Sequence, residues 1–132
     1  MMIGKRLKIK EYKDERGLLM AVNQMPFNAR RMFFISNVPE GADRGNHFSK
    51  SSDFLYIIIQ GGCKVSLDNG ICKELHELTV GDALMFSKET WMRIFDFQDD
   101  AILCVLADTE YNALDYESDY DEFCRIVRKK DV

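Results

Sequence analysis

A chain of 132 residues, 46% of them apolar and 30% charged, can bury one hydrophobic core, and its 11% aromatic content argues against a disordered polymer. Its net charge of −4 disfavours a general nucleic-acid binder, which needs clustered lysine and arginine to neutralise phosphates, but leaves room for a small anion held by two or three arginines. The longest apolar run, residues 54–59, is strand-sized and well short of the ~20 residues that span a bilayer, so no membrane partner is expected.

The start, MMIGKRLKIKEY, lacks the apolar centre of a signal peptide, and the expected location is the cytoplasm. Residues 6–12 predict a first strand, Asp14-Glu15-Arg16-Gly17 a turn, and residues 18–23 its return. Residues 31–35 form a compact apolar strand, and residues 37–46, with Pro39, Gly41 and Gly45, a loop. Residues 54–60 are dense in large and β-branched side chains, as in a strand buried on both faces. Gly61-Gly62 is expected to break that strand.

Residues 63–67 and 71–75 flank Asp68-Asn69-Gly70, whose Asn-Gly supplies the positive φ angles of a tight hairpin. Gly81-Asp82 turns into a short strand ending at Phe86. Residues 91–97 alternate, with Trp91, Arg93, Phe95 and Phe97 on one side and Met92 and Ile94 on the other, and residues 101–107 are a further buried strand. Only the end reads as a helix: Asp119 can cap residues 120–130, with acids early and Arg128, Lys129 and Lys130 late.

Closely spaced strands with one terminal helix predict a small all-β sandwich or barrel. The DNG hairpin followed by GDALMF is typical of the cupin arrangement, a double-stranded β-helix or jelly roll, here as one domain over residues 1–132 with a short C-terminal helix. Cys63, Cys72, Cys104 and Cys124 show no C-x-x-C spacing and read as packing thiols, reduced in the cytosol.

A metal-binding cupin needs two histidines one residue apart, a later acid and a third histidine. Here His47 stands alone, with Ser49 in the second place, and one histidine does not make a tight transition-metal site. No metal and no cofactor are expected. His76, on an outer hairpin strand, reads as a solvated surface residue.

Several segments together resemble the dTDP-sugar 3,4-ketoisomerases, metal-free WxcM-like cupins (FdtA- and QdtA-like) of bacterial surface-glycan pathways. They are DERGLL (14–19), PFNARRMFFI (26–35), RGNHFSK (44–50), GGCKVSLDNG (61–70), Trp91 with Asp96-Phe97, and VLADTEYNALDYESDYDEF (105–123). The resemblance implies an isomerase that moves protons between C3 and C4 of dTDP-4-keto-6-deoxyglucose through an enediol, in deoxysugar and O-antigen synthesis. It also implies a dTDP-linked keto-deoxysugar as ligand and a homodimer, with no nucleic acid involved.

On this reading His47 and Ser49 are the catalytic candidates, because proton transfer near pH 7 suits an imidazole and a serine hydroxyl can relay. Substrate contacts are expected from Arg31, Phe33, Arg44, Asn46, Lys50, Tyr56, Trp91 and Arg93. Arg31 and Arg44 suit the phosphates by paired hydrogen bonds and suit structural salt bridges equally. Trp91 can stack on a sugar or base or fill the barrel. The acidic run 115–122, with Tyr116 and Tyr120, reads as a solvated turn and helix cap.

The chain departs from the family pattern R-G-x-H-A-H-K at Phe48 and Ser49. It also carries Phe33 and Phe34 where tyrosines are common, Phe54 near a usual glutamine, and Met92 for an arginine. Each change removes a hydrogen-bonding group. The alternative is a dTDP-sugar-binding cupin or partner subunit that has lost isomerase activity.

Overall fold

Two strands much longer than the sequence suggests organise the fold. The computed structural model describes residues 2–129. Its strands are β1 (Gly4–Lys8), β2 (Lys10–Asp14), β3 (Gly17–Ala21), β4 (Arg31–Ile35), β5 (Arg44–Ser49), β6 (Phe54–Asp68), β7 (Lys73–Thr79), β8 (Asp82–Phe86), β9 (Trp91–Ala107) and β10 (Tyr116–Glu117). A 3₁₀ turn spans Ala113–Asp115 and one helix, α1, spans Tyr120–Lys129. Lys130, the expected last residue of the helix, lies outside the described residues.

Gly61-Gly62 does not break a strand, and residues 91–97 and 101–107 are not separate strands. β6 and β9 run through and bend where they face each other. The register of β6 against β9 shifts between Ile58 and Lys64. Gly61 has φ +67°, and Asp96, Asp99 and Asp100 have φ between 53° and 56°. Such bulges bend a strand without ending its pairing.

Bending lets each long strand serve two layers. The first half of β6 pairs with β8 and with the end of β9, which also holds β4, and β1 extends the layer from β8. The second half of β6 pairs with β7 and with the start of β9, which holds β5, and β10 follows β5. All these pairings are antiparallel. The result is the all-β cupin jelly roll with a short C-terminal helix, and β2 and β3 form a separate hairpin.

Strand alternation sends Phe54, Tyr56 and Ile58 inward to a core shared with Val65, Leu67, Leu84, Met92, Ile94, Leu103 and Val105. Leu55 and Ile57 point outward and pack with Ile9, Ala83, Met20 and Phe27. On the other layer, Phe48 and Trp91 are directly paired and face outward. Phe123 and Cys124 of α1 cover them, with Tyr120 edge-on to Trp91 at 5.1 Å. The Asp119 side chain accepts from Asp121 N and Glu122 N at the helix start, the cap its sequence position predicts. Burial pushes the Cys63 thiol up to about 12, which leaves it an inert packing group.

β5 starts at Arg44, inside the segment expected to be a loop. Arg44 pairs with Ile94 and His47 with Met92: three steps on β5 oppose two on β9. Gly45 (φ +86°) and Asn46 (φ +61°) absorb the extra residue. Gly45→Ala would set a Cβ against Met92 Sδ and the Met92 carbonyl in a backbone conformation that disfavours side chains. Its expected cost is at least about 2 kcal/mol in urea unfolding. An unchanged midpoint and slope would contradict the bulge.

Candidate functional site

A cavity of about 590 Å³ opens between the two layers. β4 lines it with Arg31, Phe33 and Ile35, β5 with Arg44, His47 and Ser49, β6 with Phe54 and Tyr56, and β9 with Met92 and Ile94. Tyr111, Ala113 and Tyr116 close one side. The inward face of every contributing strand follows from the pairings above. Because His47 and Met92 are partners, as are Phe48 and Trp91, Trp91 and Arg93 at the start of β9 face away from the cavity.

Six of the ten residues selected from the sequence therefore meet in one place: Arg31, Phe33, Arg44, His47, Ser49 and Tyr56. Four do not. Trp91 is packed under α1. Arg93 lies on the same outer face, bonded to Asp43 through Nε (2.6 Å) and stacked over Phe95 (4.1 Å). Asn46 is the exposed residue of the bulge, and Lys50 is exposed with its ammonium near the Leu114 carbonyl (3.4 Å).

The imidazole of His47 lies 4.8 Å from the Tyr116 ring, tilted by 56°. No hydrogen bond joins either of its ring nitrogens to the protein among the described residues. Burial lowers its pKa below 6.5, so the ring is neutral at pH 7 and able to accept a proton.

Arg31 lies within 5.4–5.9 Å of the ring centroids of Phe33, Phe54, Tyr111 and Tyr116. One terminal nitrogen donates to Tyr116 Oη (2.8 Å), while its buried Nε has no partner. No carboxylate pairs with Arg31 or Arg44 among the described residues. A guanidinium in an aromatic surround with an unmet donor is chemically able to bind an anion.

Ser49 is differently placed. Its hydroxyl donates to Asp115 Oδ2 and accepts from Ser52 N (2.9 Å) and, at longer range, Ser51 N (3.4 Å). Asp115 also accepts from Ser51 Oγ (2.5 Å) and Ser52 Oγ (3.2 Å). Burial alone would raise the Asp115 carboxyl, but these bonds outweigh it and hold the group below the usual range. Ser49 is thus tied into a polar knot that fixes the end of β5 to the segment before β10.

That knot overturns the reading of residues 115–122 as a solvated turn. Asp115 anchors β5, Tyr116 forms a cavity wall, and Tyr120 donates to Asp68 Oδ2 (2.5 Å) under α1. Tyr116 and Tyr120 were that run's sequence signal. His76 is also not solvated: its side chain is 12% exposed and bonds Glu74 Oε1 at 2.9 Å. Tyr111, Met92, Ile94 and Ile35 were not foreseen as cavity residues.

With this geometry in hand, comparison with known proteins is informative. A family model described as FdtA, WxcM-like, C-terminal, matches residues 4–128. The TDP-4-oxo-6-deoxy-α-D-glucose-3,4-oxoisomerase of Aneurinibacillus thermoaerophilus is 30% identical over 97% of this chain and 95% of its own length. A 3,4-ketoisomerase from Helicobacter canadensis has a TM-score of 0.91 and 31% identity, covering 97% of this chain and 99% of that one. QdtA of Thermoanaerobacterium thermosaccharolyticum was solved as a histidine-to-asparagine mutant with TDP-4-keto-6-deoxyglucose. It has a TM-score of 0.91 and 25% identity over 98% of this chain and 97% of its own.

The buried, neutral imidazole has a measurable consequence. The unfolded chain binds this proton near 6.5, the folded chain only at lower pH. The stability that comes from keeping His47 neutral is present above about 6.5 and is lost as pH falls through the folded value. His47→Gln is expected to remove that loss, so the two melting temperatures converge or cross between pH 7 and pH 5, with His76 common to both. Parallel pH profiles would contradict a buried His47.

Proposed function

The chain belongs to the FdtA, WxcM-like family, whose relatives named above are sugar 3,4-ketoisomerases, and from that premise we propose that it isomerises a dTDP-linked 4-keto-6-deoxyhexose. TDP-4-keto-6-deoxyglucose, the sugar seen with QdtA, is the substrate to test first. The C4 ketone acidifies the C3 proton. His47 removes it, an enediol forms, and the imidazolium returns a proton to C4 while the carbonyl settles at C3.

One observation carries this reading. A single unengaged imidazole faces a cavity that is also lined by two arginines without acidic partners among the described residues. The volume falls in the roughly 300–1,000 Å³ range of small-molecule sites. Arg31 and Arg44 supply the diphosphate contacts, and Phe33, Phe54, Met92 and Ile94 keep the reacting carbons away from bulk water.

The engaged state of Ser49 favours a second reading. A hydroxyl that already donates to Asp115 and accepts from Ser52 N is a poor relay, and a cavity without a working relay could bind the sugar nucleotide without turning it over. Binding of TDP by calorimetry, with no isotope exchange, would select this binding-module reading.

We further read the chain as one cupin domain acting in cytoplasmic deoxysugar synthesis for surface glycans. Four free thiols suit that reducing compartment, and no helix among the described residues is long and apolar enough to cross a membrane. Homodimerisation is supported by the apolar groups left exposed on the β2–β3 hairpin and the outer face of β4: Tyr12, Leu19, Met32 and Phe34 are each at least 54% exposed. A second copy burying them would remove an apolar patch unusual for a monomer.

Two outcomes are expected. Wild-type protein with the keto-sugar in deuterated water introduces deuterium at C3 or C4, and His47→Gln slows isomerisation by about 10²–10⁴-fold. Absence of exchange where an active relative exchanges excludes the isomerase. Phe34→Glu is expected to shift sedimentation from dimer to monomer. A dimer that persists would place the interface elsewhere.

A further inference from the structure

Moving a carbonyl between neighbouring carbons takes two proton exchanges, one at carbon and one between the two oxygens. His47 serves the carbon. Four hydroxyl side chains line the cavity and could serve the oxygens. Ser49 is committed to Asp115 and to Ser52 N. Tyr111 is 69% exposed. Tyr116 is half-buried, and its hydroxyl already accepts from Arg31 (2.8 Å).

Tyr56 differs from all three. It is 2% exposed, and its ring is wedged edge-on against Phe86 (5.0 Å, 76°) and Phe54 (6.3 Å, 69°). Its hydroxyl makes no hydrogen bond to the protein among the described residues. It is not among the fully enclosed polar atoms left without a partner, of which Arg31 Nε is the one among the described residues, so the hydroxyl opens on the cavity that Tyr56 lines. The neighbouring aromatic positions on this wall, Phe33 and Phe54, carry no hydroxyl. Tyr56 shares a cross-strand row with Phe33, both in register with Val105, so it lies on the cavity side of the first layer opposite the β5 wall that bears His47.

We propose that Tyr56 is the catalytic residue that exchanges protons with the C3 and C4 oxygens of the sugar, an assignment that rests on the ketoisomerase reading. As His47 takes the C3 proton, the C3–H electrons form the C3–C4 double bond and the C4 oxygen takes the phenol proton. As the C3 hydroxyl loses its proton back to the phenolate, the C3 carbonyl forms and C4 takes the proton from the imidazolium. Tyrosine and histidine end as they began, and no co-reactant is needed. Burial, reinforced by Tyr116 and Cys63, raises the phenol's pKa, so it rests protonated between turnovers.

The test is Tyr56→Phe, with Tyr116→Phe beside it. Because no bond to the protein is lost, the melting temperature of Tyr56→Phe should not fall. Its kcat should drop by about 10²-fold or more, while KM and the calorimetric affinity for TDP stay within about threefold. Tyr116→Phe should mainly raise KM. A Tyr56→Phe enzyme with wild-type kcat, a lowered melting temperature, or the kcat loss appearing in Tyr116→Phe instead overturns the assignment of Tyr56 alone. A wild-type protein that neither exchanges nor isomerises overturns the ketoisomerase reading, and the assignment with it.

Discussion

Residues three apart on a regular strand point to opposite faces. Arg44 and His47 are three apart, yet both face the cavity. The one extra residue at Gly45-Asn46 reconciles them, and nearly everything about the site depends on it. It restores parity so that His47, Met92 and Ser49 face inward while Phe48 and Trp91 face α1. Without it, either the cation or the base would point into the wrong side of the layer. The bulge is possible because glycine occupies the left-handed position nearest Met92 and asparagine, among the residues most tolerant of that conformation, occupies the next.

The cavity so formed brings positive charge and apolar surface together: Arg31 donates to Tyr116 Oη, and the Tyr116 ring lies 4.8 Å from that of His47. Arg31 and Arg44 bring positive charge, with the Arg31 Nε buried and unmet. His47, Phe33, Tyr56, Met92 and Ile94 make the remainder largely apolar. A nucleotide sugar offers such a lining a dianionic diphosphate and a less polar deoxysugar. Burial also holds His47 neutral, which is the state a base needs before it acts. Of the positions where the chain departs from the family pattern, Phe33, Phe54 and Met92 line this cavity and make it more apolar, whereas Phe34 faces outward.

Much of the fold was legible because alternation and turn chemistry are local. The hairpin after Asp68, the β8 turn and the capped helix follow from a few adjacent residues, although the hairpin loop is the four residues 69–72 and, of Asn69 and Gly70, Gly70 alone takes a positive φ. The two bent strands were not legible, because Gly61-Gly62 and Asp99-Asp100 look like breaks unless the partner strand opposite them is known to bend too. Trp91 was misplaced for a related reason. Its alternation with Met92 was visible, but which face is inward depends on its pairing with Phe48, forty-three positions away along the chain. The Asp115 knot was hidden more deeply: a carboxylate among acids reads as solvated, and its partners are serines more than sixty residues earlier. Arg31, Arg44, His47 and Tyr56 could be selected from sequence as residues of the site, whereas a proton-transferring role for Tyr56 follows only from its position on the cavity wall and its unengaged hydroxyl.

The central claim is that one free imidazole on a bulged strand, facing a hydroxyl-bearing wall, works on the ring of a diphosphate-linked keto-sugar. A crystal structure of the His47→Asn protein with TDP-4-keto-6-deoxyglucose bound tests it most directly. The account predicts the diphosphate on Arg31 and Arg44, the sugar's C3 or C4 within about 3–3.5 Å of where the imidazole would reach, and a C3 or C4 oxygen bonded to Tyr56 Oη. A sugar ring seated away from residue 47, or a diphosphate lying against it in place of the sugar, would contradict the account.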